Sequence, residues 1–244
     1  MTSDASELVK GPVEVAVALP RDDPFAAGLR GFGPLGILAI LLILLTGNVV
    51  LENMVVLPIG AVLALLWAWR SRTPWREIGY VRPGSWIDAL AGGLALGIAF
   101  KFLMKAIVMP LFGADPINQA YHFLSRNRAL LPAALLAMIV AGFAEETVFR
   151  GYMFERFGKL FGSGVGAKAS IVLISSAWFA LGHYTYQGLA GVEQAAITGL
   201  VFGTIFAFTG RIFMIMVAHA AFDLTALAMI YWNLESDVAH LVFG

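Results

Sequence analysis

Apolar residues in this chain come in runs of bilayer-spanning length, not in stripes of helical or strand period. Seven such runs can be drawn, at residues 34–52, 54–69, 86–112, 129–157, 167–186, 189–209 and 211–233. The pattern predicts an all-α fold, a polytopic transmembrane helix bundle of about seven spans. The second run is short, and the last two are separated only by Gly210 and its neighbours. Two polar stretches interrupt the pattern. SRTPWREIGYVRPGS, 71–85, holds the breakers Pro74, Pro83 and Gly84, with Trp75 inside it and Trp86 next to it as interfacial aromatics, and is expected to lie along the membrane surface. GADPINQAYHFLSRNR, 113–128, is the other sizeable loop. Gly93 with Gly97, and Gly199 with Gly203, have the four-residue spacing that lets helix backbones approach closely.

Composition agrees with a membrane protein. The chain is 59% hydrophobic and 13% charged, with mean hydropathy +0.81, whereas soluble domains carry about 25% charged residues. A net charge of zero leaves no basic excess for nucleic acid. Without cysteine there is no disulfide, thiolate nucleophile or thiolate metal site. Residues 1–33 carry Asp4, Glu7, Glu14, Asp22 and Asp23 against Lys10, Arg21 and Arg30, and are expected to be a mobile or interfacial tail instead of a signal peptide. Three N-terminal spans follow at 34–112, then a four-span unit at 129–233.

Orientation follows from the basic residues. With the N-terminus cytoplasmic, the inside segments hold Lys10, Arg21, Arg30, Arg70, Arg72, Arg76, Arg82, Arg156, Lys159, Lys168 and Arg211, and the outside holds only Arg126 and Arg128. The expected location is therefore an integral protein of the plasma membrane with its N-terminus in the cytoplasm. Lys101 and Lys105, one turn apart in the third span, either snorkel to the outer interface or line a cavity; snorkelling is the expectation.

The fourth span places Glu145, Glu146 and Arg150 in an apolar helix. A charge near a span centre costs roughly 2.5–3.5 kcal/mol on insertion scales, so these groups need partners. Glu146 and Arg150, at i and i+4, can form a buried ion pair. Glu145 projects about 100° away and must find its neighbours on another span. The candidates are His183, near the end of the fifth span, and His219 with Asp223, at i and i+4 in the seventh. Such a set can bind a metal, relay protons or activate water. Each part also has a plain structural reading: an interfacial histidine for His183, a helix-packing hydrogen bond for His219 and Asp223, an ion-pair brace for Glu146 and Arg150, and packing for Phe149, Phe179 and Phe222. A proton- or ion-coupled transporter or binding protein is the rival from another class.

The runs EETVFR (Glu145 to Arg150), FALGH (Phe179 to His183) and HAAFD (His219 to Asp223) resemble, in order, the three motifs of the intramembrane endopeptidase family of CAAX prenyl proteases and bacteriocin-processing enzymes, abbreviated CPBP. The resemblance marks 129–233 as the catalytic core and implies hydrolysis of a peptide bond in a peptide or membrane-protein substrate within the lipid bilayer. It further implies that Glu145 is the general base for a water shared with His183, that Glu146 and Arg150 support it, and that His219 and Asp223 face the oxyanion. An inactive scaffold of the same fold is the remaining alternative. Desolvation strengthens a carboxylate as a base, so the chemistry is coherent without the analogy. Glu145, His183 and His219 could also make a His₂Glu zinc site, yet the HExxH helix is absent, and a metal-free glutamate mechanism without cofactor is the expectation. An ionised Asp223 is acceptor-only, so it is expected to accept a hydrogen bond from His219 and orient that ring towards the oxyanion.

Overall fold

The computed structural model describes residues 23–48 and 57–243. Residues 1–22 of the expected tail, and the expected junction between the first two spans, lie outside the described residues. The helices are α1 (Pro24–Arg30), α2 (Pro34–Asn48), α3 (Leu57–Arg70), α4 (Trp86–Leu103), the one-turn α5 (Met109–Leu111), α6 (Leu131–Glu146), α7 (Met153–Phe161), α8 (Val165–Gly182), α9 (Tyr184–Thr209), α10 (Phe213–Tyr231) and α11 (Glu235–Phe243). Wider π turns, Met104–Val108 and Thr147–Tyr152, join α4 to α5 and α6 to α7. No strand occurs among the described residues.

Five helical stretches among the described residues are long and apolar enough to cross a membrane: Trp86–Leu111, Leu131–Phe161, Val165–Gly182, Tyr184–Thr209 and Phe213–Tyr231. The first two of the seven predicted runs differ from these. The run at 34–52 opens as α2, which α1 precedes across a 55° bend, and the run at 54–69 holds the shorter apolar helix Pro58–Arg70. The bend is written locally. Asp23 caps α1 by accepting from Phe25 N and Ala26 N, Pro24 opens the helix, and the chain leaves it at Gly31. The last part of the expected tail is therefore folded, with Asp23 also bound to Arg70 at 2.8 Å.

α10 is the central helix, with 56% of its most apolar window buried against 33–39% for the other four. It packs between α4 and α6, while α8 pairs with α9 and α2 with α3. Between helices in lipid the attraction is mainly van der Waals, so small residues decide how near two axes come. A Cβ on Gly97 would lie 2.1 Å from the Ala218 carbonyl oxygen, and one on Gly93 2.7 Å from that of Met214. Gly142 of α6 meets α10 in the same way, where a Cβ would lie 2.6 Å from Ala220 N. A Cβ on Gly199 would lie 2.9 Å from Ser176 Cβ, which sets the α8–α9 contact. The large exposed apolar side chains, among them Leu38, Leu66, Leu136 and Leu173, are the surface such a bundle offers to lipid.

The basic pair in α4 behaves differently from the snorkelling expectation. Lys101 is buried and donates to Gln194 Oε1 at 2.8 Å. Lys105 lies 3.7 Å from Glu235 and donates to the Pro116 carbonyl. Both line a cavity of about 370 Å³, where α9 and α11 supply their polar partners Gln194 and Glu235.

Candidate active site

α6 ends at its two acidic residues, and the chain then runs through the wider π turn Thr147–Tyr152 before resuming as α7. An inserted π turn rotates everything after it relative to a continuous α-helix and is common at functional sites. Here it buries all six of its residues, Arg150 among them. Thr147 donates back to the Phe143 carbonyl at 2.8 Å and shares a 2.8 Å hydrogen bond with Tyr80. Tyr80 comes from the polar connector, and burial raises its phenol above the ordinary value. The sequence reading missed Tyr80 because nothing in its local pattern ties it to a residue 67 positions away.

Glu146 and Arg150 are fully buried, with Glu146 Oε1 3.1 Å from Arg150 Nη1. The distance is that of an ion pair, but Nη1 makes no well-aligned hydrogen bond. The better-aligned partner of Glu146 is on another helix: His219 Nδ1 donates to Oε1 at 2.7 Å. Arg150 reaches further, donating through Nη2 to the Gly199 carbonyl at 3.3 Å and lying over the Phe179 ring at 5.0 Å. One buried pair therefore joins α6, α8, α9 and α10.

Glu145 faces the other nitrogen of the same histidine. Its Oε2 lies 3.3 Å from His219 Nε2, and its side chain keeps 13% of its surface accessible. Asp223 Oδ2 lies 3.7 Å from Nε2. That is beyond hydrogen-bond length, so the orienting role expected of Asp223 falls to Glu146. An i,i+4 spacing brings two side chains near each other but does not decide which nitrogen each carboxylate takes.

His183 sits at the junction of α8 and α9, half-buried. Its Nδ1 donates to the Phe179 carbonyl at 2.9 Å, leaving Nε2 as the nitrogen open to a water or substrate. The Phe179 ring stands edge-on to His183 at 4.6 Å and to His219 at 5.9 Å, and packs on Phe149 at 4.9 Å. The chain breaks just beyond, at Gly188, where φ is +64°. This is a left-handed conformation that glycine adopts without a Cβ penalty. Phe202 lies 5.5 Å from the His219 ring on its other side, and Phe222 continues towards α4.

Glu145, Glu146, Arg150, His219 and Asp223 are thus drawn into one buried cluster, with His183 joined to it through Phe179. Among the described residues no three His, Asp or Glu side chains are arranged to hold a metal ion, so the His₂Glu set does not close as a ligand cage. What the cluster offers is a partly accessible carboxylate, a histidine held rigidly by a second carboxylate, and a second histidine with one free nitrogen. Such parts serve general base catalysis and oxyanion stabilisation.

Residues 127–225 match the family model described as Rce1-like, Type II CAAX prenyl endopeptidase Rce1-like. The matched region runs from the loop before α6 to the middle of α10 and contains the whole cluster. No curated protein and no solved structure matches the chain.

Proposed function

We propose that this chain, whose residues 127–225 match the Rce1-like model of type II CAAX prenyl endopeptidases, is an intramembrane endopeptidase in which Glu145 is the general base. The observation that carries the reading is the division of labour around His219. Glu146 occupies Nδ1 at 2.7 Å, while Glu145, the more accessible carboxylate, faces Nε2 at 3.3 Å.

In the proposed reaction a water held between Glu145 and His183 Nε2 gives a proton to Glu145 as its oxygen attacks the peptide carbonyl. The new C–O bond forms, and the carbonyl electrons move onto oxygen. The protonated Nε2 of His219 donates to that oxyanion, its ring fixed by the Nδ1 hydrogen bond. Collapse breaks the C–N bond, and the proton on Glu145 passes to the departing amine. Pre-set donors of this kind need no reorganisation as charge develops. Asp223, 22% accessible beside Nε2, supports the charged ring from the substrate side. No step is routed through a metal, and the catalytic core is assigned to 129–233.

The test is Glu145→Gln, which keeps size and hydrogen bonding but removes the base. The variant is expected to fold and to lose about 10²–10⁴-fold in turnover of a membrane-embedded peptide. Wild-type turnover in that variant would refute the reading. A transporter would instead show substrate flux into proteoliposomes without new peptide termini.

A further inference from the structure

The cavity of about 370 Å³ that holds Lys101 and Lys105 adjoins the catalytic cluster without including it. Its walls continue the same elements. On α10 the cavity begins at Ala226, one turn past Asp223, and on α9 it includes Gln187, whose N–H donates to the His183 carbonyl at 3.0 Å. Lys101 Nζ lies 4.7 Å from the Phe222 ring centroid, next to Asp223 in sequence.

The two lysines differ in partners. Lys105 is paired with Glu235 at 3.7 Å. Lys101, only 6% exposed, has the neutral Gln194 amide and an aromatic face. Among the described residues it makes no ion pair; the carboxylates of Asp223 and of Glu235, which with Asp115 also lines the cavity, act on it only at longer range. A buried ammonium that faces a cavity with no carboxylate in contact offers a ligand's anion a charged partner. The far wall indicates what kind. Glu235 accepts from Asn118 N at 2.9 Å, and Lys105 donates to the Pro116 carbonyl, so the loop at 114–120 is fastened across that side. A chain entering from the catalytic cluster meets this fastened loop, which suits a chain end.

Resting on the peptidase reading, we propose that this cavity is a substrate subsite in which Lys101 binds the terminal carboxylate of the peptide. Lys101 is then a specificity residue supplied by α4, outside the region that matches the family model.

The experiment uses full-length protein carrying Glu145→Gln, in phosphatidylcholine nanodiscs. Two probes are compared by fluorescence anisotropy: one pool of N-terminally labelled apolar peptides with free C-terminal carboxylates, and the same pool with C-terminal amides. A charge-assisted hydrogen bond predicts that the acid pool binds about 10- to 100-fold more tightly. Lys101→Met on the same background should reduce its affinity to that of the amide pool. If Lys101→Met does not fold, Lys101→Gln removes the charge while keeping a polar contact, and the same loss is expected. Equal affinity for the two pools, including binding of neither, overturns the proposal, as does a preference that survives loss of the lysine. Nanodiscs containing phosphatidylglycerol separate the other anion source: Lys101-dependent retention of that lipid with no acid-over-amide preference also overturns it. Because the readout is binding, a Lys101-dependent preference in a protein that never hydrolyses peptides would refute the peptidase reading alone. Hydrolysis without the preference would refute this one alone.

Discussion

Glu146 Oε1 accepts a hydrogen bond from His219 Nδ1 at 2.7 Å while standing 3.1 Å from the guanidinium of Arg150. One oxygen atom thereby links the charge balance of α6 to the orientation of a ring on α10. The residue that reads in sequence as half of an ion-pair brace is also the one that sets the histidine.

This double duty separates stability from activity. Arg150→Ala takes the guanidinium from a fully buried Glu146 and leaves it only His219 as a charged partner among the described residues, a loss of up to roughly 3–5 kcal/mol. It is expected to appear as poor yield and a lower Tm in detergent. Replacing both charges together, Glu146→Leu with Arg150→Met, should recover much of that Tm, since apolar replacement of a buried pair is often neutral. The double variant should still fail to cleave because His219 has lost its Nδ1 acceptor. Recovery of both Tm and turnover would show that the pair is only a brace.

The close approach of α6 to α10 rests on Gly142. A Cβ there meets backbone at Ala220, beside His219, so Gly142→Ala must move one helix. A 1 Å misplacement can cost about 10²-fold in rate. The expected result is folded protein with strongly reduced kcat and a much smaller change in KM. A wild-type kcat would mean that the 2.7 Å contact tolerates the shift.

Asp223 is 3.7 Å from His219 Nε2 and is not its orienting acceptor. Asp223→Asn retains the shape and can itself donate towards an oxyanion, so reduced but measurable turnover is expected. Asp223→Ala removes both the charge and the donor and should be slower still. Steady-state rates of the two purified variants and the wild type on one peptide decide it, and wild-type rates in both variants would exclude Asp223 from the reaction.

Metal removal gives a further check. With no step assigned to a metal, protein dialysed exhaustively against a chelator is expected to keep its activity. Stoichiometric zinc whose loss and return track turnover would instead require ligands that come together only in another conformation.

Much of this protein was legible in its sequence because a bilayer makes local signals loud. Apolar runs of spanning length, and charges that interrupt them, stand out without reference to the fold. That is why the helical architecture and the three motif segments could be located from the chain alone. The close approaches at Gly93, Gly97 and Gly199 were readable for a related reason, since spacing along one helix fixes which residues share a face, whereas Gly203 has ordinary contacts only, the nearest at 3.4 Å.

The same reasoning stopped at the helix surface. Spacing placed Asp223 near His219, but only the crossing of α6 and α10 at Gly142 gave Nδ1 to Glu146 and turned Nε2 towards Glu145. Lys101 and Lys105 have stems long enough to snorkel, and their fate was decided by Gln194 and Glu235, residues 93 and 130 positions further along. The π turn after Glu146, the link from Tyr80 to Thr147, and the position of His183 at a helix junction likewise depend on neighbours that no local pattern names. Sequence period determines which side chains share a helix face, whereas the choice of partner across helices is settled by interaxial distances of a few ångströms. Those distances come from side chains on other helices, and only the assembled bundle sets them.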